Sequence, residues 1–211
     1  MSVAGATIGG MNATAADYRW LGDHCPDLVE AYCATLVHAL SPEEAIGRLR
    51  ARADGRVRGI GALVEAAARA WKESGGDRHF LGLCAVDGWT LMVEPNGYLG
   101  SLDEAAVPLS RGTELVAHFR NVNAVDHFSR YVDGELRLHF EPLFPHERDG
   151  ADPDGAVALM REVGFDLSAD SADVETTTEA AFALAERLTG VRLTAGLLDG
   201  AEFLTGSVPV F

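Results

Sequence analysis

Two glutamates in this chain stand directly before prolines, Glu94-Pro95 and Glu141-Pro142. Each follows an extended run, and the residue before a proline is held in the β region. Two carboxylates facing each other across a cleft can divide acid and base roles, as in glycoside hydrolysis. Glu94 and Glu141 are therefore the catalytic candidates, and the chemistry they would support is hydrolysis. The plainer role for each is to end a strand in water, with the proline blocking the edge.

Histidines form the second group. His79, His118, His127 and His139 all fall in strand-like segments. Three imidazoles on one face can bind zinc. An ideal hairpin register sends His127 and His139 to opposite faces, so no metal site is expected and no cofactor is implied. The acidic run Asp149, Asp152, Asp154 resembles a calcium loop in composition only. With Gly155 at the sharp-turn position, Gly150 and Arg161 occupy the places where carboxylates are required. Helix capping explains these aspartates better.

A third group suits binding. Asn96 and Tyr98 directly follow the first Glu-Pro pair, and Arg120, Asn121 and Asn123 join two strands. Together with Glu94 and Arg148 they are the candidate binding residues, expected on one surface. Asn and Gly in such places also serve as plain turn residues. Phosphate-loop, nucleophile-elbow and HExxH patterns are absent.

The elements that must position these residues centre on two similar hairpins. Asp87-Gly88 and Asp133-Gly134 are preferred two-residue turns. In the first hairpin, Val86 should pair with Trp89, Cys84 with Leu91 and Gly82 with Val93. Both of its faces are mostly apolar, which places it centrally in a sheet covered on both sides. In the second, the ideal register puts Arg130 opposite Arg137 and Asp126 opposite Glu141. Like charges in such pairs are unfavourable, so that face must be wet or the register must depart from the ideal. Five residues separate Gly88 from Glu94, but six separate Gly134 from Glu141. The two glutamates are thus out of phase relative to their turns unless a bulge intervenes.

Around the hairpins the pattern is helical. Ser41-Pro42-Glu43-Glu44 is a capping box with proline at N1, opening a helix expected to end near Asp54-Gly55. A second helix runs from about Val57 to Ser74, with Leu63, Ala67, Ala70 and Trp71 apolar and Gly75-Gly76 as its stop. Ala31 to Leu40 suits either a strand or a buried helix. Helices are further expected over 102–109, from Asp152 to about Val163, and over 179–188. Residues 166–178 suit an exposed linker, Leu193 to Leu198 one more helical turn, and Phe203 to Phe211 a closing extended segment. Residues 1–13 suit a flexible leader and 14–211 a single domain. The expected class is α+β, an antiparallel sheet of about five strands flanked by N- and C-terminal helices.

Composition limits function. The 211 residues carry 17 Lys and Arg against 32 Asp and Glu, a net charge of −15. That balance disfavours nucleic acid and anionic membranes and favours a basic protein partner. The acid is concentrated from Glu141 onward, whereas Arg48 to Lys72 holds 7 basic and 2 acidic residues. The arginines of that stretch suit the wet face of helices. Three cysteines without a CxxC pair argue against a disulfide framework or zinc ribbon and suit a cytoplasmic protein. No apolar run approaches the roughly 18 residues of a membrane span.

Several stretches carry a family resemblance. They are Gly88-Trp89-Thr90-Leu91-Met92-Val93-Glu94-Pro95-Asn96-Gly97-Tyr98, Arg120-Asn121-Val122-Asn123-Ala124, the stretch from Phe140 through Pro145 and Arg148 to Pro153-Asp154, and Arg161-Glu162-Val163-Gly164-Phe165, with Leu188-Thr189-Gly190-Val191 and Phe203-Leu204-Thr205-Gly206 near the end. The chain resembles, over about residues 14 to 208, an uncharacterised family abundant in actinobacteria. The resemblance implies membership in a domain of unknown function and no catalytic assignment. Its layout is similar to that of small bacterial immunity and regulatory proteins. The expected function is a protein-interaction module, regulatory or immunity-like. The alternatives are a hydrolase using Glu94 and Glu141, and a small-molecule sensor built on the apolar hairpin and Trp89.

Overall fold

The computed structural model describes residues 12–169 and 176–210. Most of the leader expected over residues 1–13, and the centre of the acidic linker, lie outside them. The described residues form one antiparallel sheet of nine strands, numbered in chain order: β1 (Tyr32–His38), β2 (Arg52–Arg58), β3 (Arg78–Val86), β4 (Trp89–Pro95), β5 (Glu114–Arg120), β6 (Asp126–Val132), β7 (Glu135–Phe140), β8 (Arg148–Asp149) and β9 (Glu202–Pro209). Their spatial order is β2-β9-β3-β4-β1-β5-β6-β7-β8.

The class is α+β as expected, but the sheet exceeds the five strands read from the sequence. β1 resolves the ambiguous segment after Ala31 as a central strand, buried on both faces. Such a strand has no alternation to betray it. β2 falls where a helix was expected to continue to Asp54-Gly55, because that helix stops at Leu49. Arg52-Ala53-Asp54-Gly55-Arg56-Val57-Arg58 hides its identity for the opposite reason. It is an edge strand with both faces wet and no apolar face to show. β9 is the closing extended segment, inserted between β2 and β3.

Helices cover both faces of the sheet. On one face lie α1 (Trp20–His24), α2 (Pro26–Val29), α4 (Ile60–Ser74), α6 (Val157–Val163), α7 (Thr177–Thr189) and α8 (Ala195–Gly200). They bury Leu21, Leu28, Leu63, Met160, Leu184 and Leu198 against Leu36, Leu91, Val116, Phe128, Phe140 and Phe203 of the strands. On the other face, α3 (Pro42–Leu49) and α5 (Asp103–Ser110) bury Ile46, Leu49, Ala106 and Leu109 against Leu81, Leu83, Met92, Leu115 and Tyr131. Each fully buried Leu or Phe contributes about 1.5–3 kcal/mol.

Local signals explain how several elements start and stop. Ser41 and Glu44 make the reciprocal capping box that opens α3. Gly75 and Gly190 end α4 and α7 in the left-handed conformation. The helix expected from Asp152 begins only at Val157, because Asp152 to Ala156 is spent on turns; the Asp152 amide donates to the carbonyl of Arg137 at 2.8 Å. Gly82 admits the close approach of α4 to β3. A Cβ there would lie 2.4 Å from the Cδ1 of Leu63.

The first hairpin has the expected register, with Val86–Trp89, Cys84–Leu91 and Gly82–Val93 paired. The second does not. A bulge between Arg130 and Tyr131 shifts the pairing, so Arg130 faces Leu138 and Ser129 faces His139. This removes the like-charge opposition of Arg130 and Arg137. It also brings His127 and His139 to one face, against the expectation of opposite faces, with ring centroids 5.3 Å apart.

Candidate functional site

The bulge restores the phase of Glu94 and Glu141, yet the sheet keeps them apart. Both sit at the same end of the sheet, Glu94 on β4 and Glu141 just beyond β7. Three strands intervene, β1, β5 and β6. Four inter-strand steps amount to roughly 19 Å, well beyond the roughly 5–9.5 Å of a glycosidase pair. Glu94 and Glu141 line no common cavity, and the strand order gives no support to a hydrolase using them as a pair.

Glu94 does a different job. It is fully buried, and its two carboxylate oxygens accept the backbone N–H groups of Leu99 and Gly100, each at 2.8 Å. Burial pushes its pKa up to about 7, against the two amides and the Cys33 thiol, which pull it down. Gly100 must be glycine for this contact. A Cβ there would lie 2.2 Å from the Thr35 hydroxyl and 3.2 Å from the Glu94 carboxylate. Glu94 therefore fastens the Pro95–Ser101 turn to the sheet from below.

That turn forms one wall of a cavity of about 380 Å³. The opposite wall is α4. Asn96 takes a left-handed backbone, φ 53°, with its N–H on the carbonyl of Ala31. The following Tyr98 rests edge-on against His79, ring centroids 4.5 Å apart. Across the cavity Trp71 leans on Gly76, where a Cβ would touch the indole at 3.0 Å. Ala67 and Ala68 on α4 are too small to fill the space between, and Phe80 lies beneath. Asp27, Lys72 and Arg78 supply charge to the lining. This is a mostly apolar hollow with a few polar groups, the usual make-up of a recognition pocket.

The remaining binding candidates lie elsewhere along the same end of the sheet. Arg120 pairs with the buried Asp126 at 3.0 Å. Asp126 also accepts from His118 Nε2 at 2.6 Å, and His118 Nδ1 is 2.8 Å from the Tyr32 hydroxyl. All three partners of this Tyr32–His118–Asp126 chain are buried, so its polar groups are satisfied inside the core. The Asn121 side chain accepts the N–H groups of Asn123 and Val125, which makes it a turn builder. Arg148 donates to Asp154 and to the carbonyls of Pro145 and His146. It lines a separate hollow of about 280 Å³ with His127, His139, Glu141 and Phe144. Burial and the neighbouring His127 lower the pKa of His139. Among the described residues no group of three or more His, Cys, Asp or Glu could hold a metal.

The structure thus unites Asn96 and Tyr98, places Glu94 beneath them, and separates Arg120, Asn121, Asn123 and Arg148 from them. The sequence reading missed Trp71, Arg78 and Phe80. Trp71 was counted in the apolar face of its helix, but it is 54% exposed. Its place one turn before the Gly75-Gly76 stop was the available signal. The hollow beside the Trp89 hairpin, lined by Leu91, Val93, Tyr32 and Phe182, holds only about 20 Å³. Trp89 itself is buried. The core there is closed, which removes the basis for a sensor built on that hairpin.

Fold and cavity together define an α+β protein with a helix-covered antiparallel sheet and an aromatic-walled pocket at one end. The chain belongs to the family of unknown function DUF6461, whose model matches residues 11–211. No curated protein and no solved structure matches it. Among the described residues no helix is long and apolar enough to cross a membrane.

Proposed function

We propose that this protein is a protein-interaction module whose anchor pocket is the cavity between α4 and the Pro95–Ser101 turn. One observation carries the reading. Among the described residues six large hydrophobics are left exposed, and three of them (Trp71, Tyr98 and Val210) line this cavity. Isolated exposed apolar residues need no explanation, but a convergent set marks a contact surface. Trp and Tyr are the residues that most often carry binding energy when a partner covers them. The net charge of −15 favours a basic partner through long-range steering. A regulatory or immunity-like role would consist of covering such a partner's working surface. Three buried free cysteines suit a reducing cytoplasm.

The test is capture of a partner by immobilised wild-type protein, followed by measurement of its affinity. The Trp71→Ala/Tyr98→Ala variant should weaken binding of that same partner by roughly thirtyfold or more, the scale of a lost hot spot. Phe144→Ala, exposed but outside the cavity, should bind as wild type. Association should slow as salt rises. Equal affinity of the double variant, or salt-independent association, would refute the reading.

A further inference from the structure

A second cavity, of about 400 Å³, lies on α4's other flank, between that helix and strands β2, β9 and β3. Its floor is apolar, made by Ala66, Ala70 and Phe80. Arg52, Arg69 and Arg78 also line it, with Ser74 and the buried Ser207. Two carboxylates, Asp54 and Glu73, also line it. Arg52 pairs with Asp54 and Arg69 with Glu65, so among the described residues Arg78 is the arginine of this lining without a carboxylate partner.

The central group is Arg78. Its guanidinium is half-buried and donates to the Ser207 hydroxyl at 3.1 Å and to the Ser207 carbonyl at 2.9 Å. Both acceptors are neutral. Among the described residues no carboxylate lies within ion-pair distance of Arg78, whereas Arg52 has Asp54 at 2.7 Å and Arg69 has Glu65 at 3.7 Å. A partly desolvated charge without a counter-ion is costly unless an anion meets it. The Ser74 hydroxyl is a second polar group of the lining, buried and without a hydrogen-bond partner. Ser207, having accepted from Arg78, retains its own proton to donate. A planar guanidinium flanked by hydroxyl donors is the arrangement that recognises a tetrahedral oxyanion.

We propose that this groove binds a soluble phosphate monoester, with the phosphoryl group on Arg78, Ser74 and Ser207 and an apolar body over Ala66, Ala70 and Phe80. Arg69 adds long-range attraction. The groove adjoins the partner-anchoring cavity, with Arg78 and Phe80 lining both.

Titration calorimetry on the full chain at low salt tests this without any partner. The probes are inorganic phosphate and phenyl phosphate, with chloride as control, each up to about 20 mM, enough to saturate a millimolar site. Phenyl phosphate should bind saturably and more tightly than inorganic phosphate. Arg78→Gln should weaken it about tenfold or more, the worth of a charge-assisted hydrogen bond. Ser74→Ala, a smaller change that leaves Arg78 in place, should weaken it several-fold. Trp71→Ala, which empties the other cavity's wall, should leave it unchanged, so failure of the partner reading would not touch this one. No saturable binding, equal affinity for the two phosphates, or wild-type affinity in Ser74→Ala would overturn the proposal.

Discussion

Replacing Glu94 by Gln separates the two roles of this buried carboxylate. The group titrates near pH 7 in the folded protein, against an ordinary value of 4.5. Between these values the folded state holds a proton that the unfolded state has released. Folding takes up that proton, so the group's contribution to stability is fully present below about pH 4.5 and is lost as pH rises to 7. A gap of two and a half pH units corresponds to about 3 kcal/mol. Gln cannot ionise, so this dependence should vanish. It also offers one acceptor where Glu94 offers two, leaving the Leu99 or Gly100 amide facing an NH₂ group. An unsatisfied buried amide costs about 1–3 kcal/mol. The variant should therefore be less stable than wild type at pH 5, and by pH 8, where wild type has lost about 2.5 kcal/mol relative to pH 5, that deficit should close or reverse. Urea unfolding of both proteins across this range measures the difference. Taking the difference cancels other titrating groups, such as Glu186 and His139. Parallel stability curves would refute the argument. They would mean that Glu94 is already ionised in the folded protein at pH 5.

Two further substitutions probe the supports of the site and the core. Gly100→Ala forces a methyl group into contact with Thr35, Cys33 and Glu94, and should cost about 1–3 kcal/mol of unfolding free energy, as overpacking does. A wild-type urea midpoint would show that the turn can move away. Asp126→Ala removes the shared partner of His118 and Arg120 and should cost about 3–5 kcal/mol, because it strands groups that the core has already desolvated. Unfolding by urea reads this directly, and a loss under 1 kcal/mol would mean that water replaces the carboxylate.

Much of the local structure was legible in the residues because its causes are local. Asp87 and Asp133 adopt left-handed backbones, and the glycine after each does the same, as a type I′ turn requires. Ser41 and Glu44 need only each other to open α3. Gly75 and Gly190 need only positive φ to close α4 and α7. The first hairpin's register followed from its turn, since no bulge intervenes. The second hairpin shows the limit of that reasoning. Its like-charge clash was visible in the sequence, but the bulge that relieves it involves packing of both strands against their neighbours.

For the site, the sequence by itself determined that Glu94, Asn96 and Tyr98 lie on one short segment at a strand end, since five residues of chain can reach no further. Only the tertiary structure decided what surrounds them. The order of strands placed β1, β5 and β6 between Glu94 and Glu141, which turned an apparent acid pair into two unrelated groups. It also set Trp71 of α4 across from Tyr98, and Arg78 beside Ser207 of β9, although 128 residues separate the latter two in sequence. The physical reason is one of range. Turn and cap preferences are settled within a few residues, whereas which strand neighbours which is settled by burying both faces of the whole sheet at once.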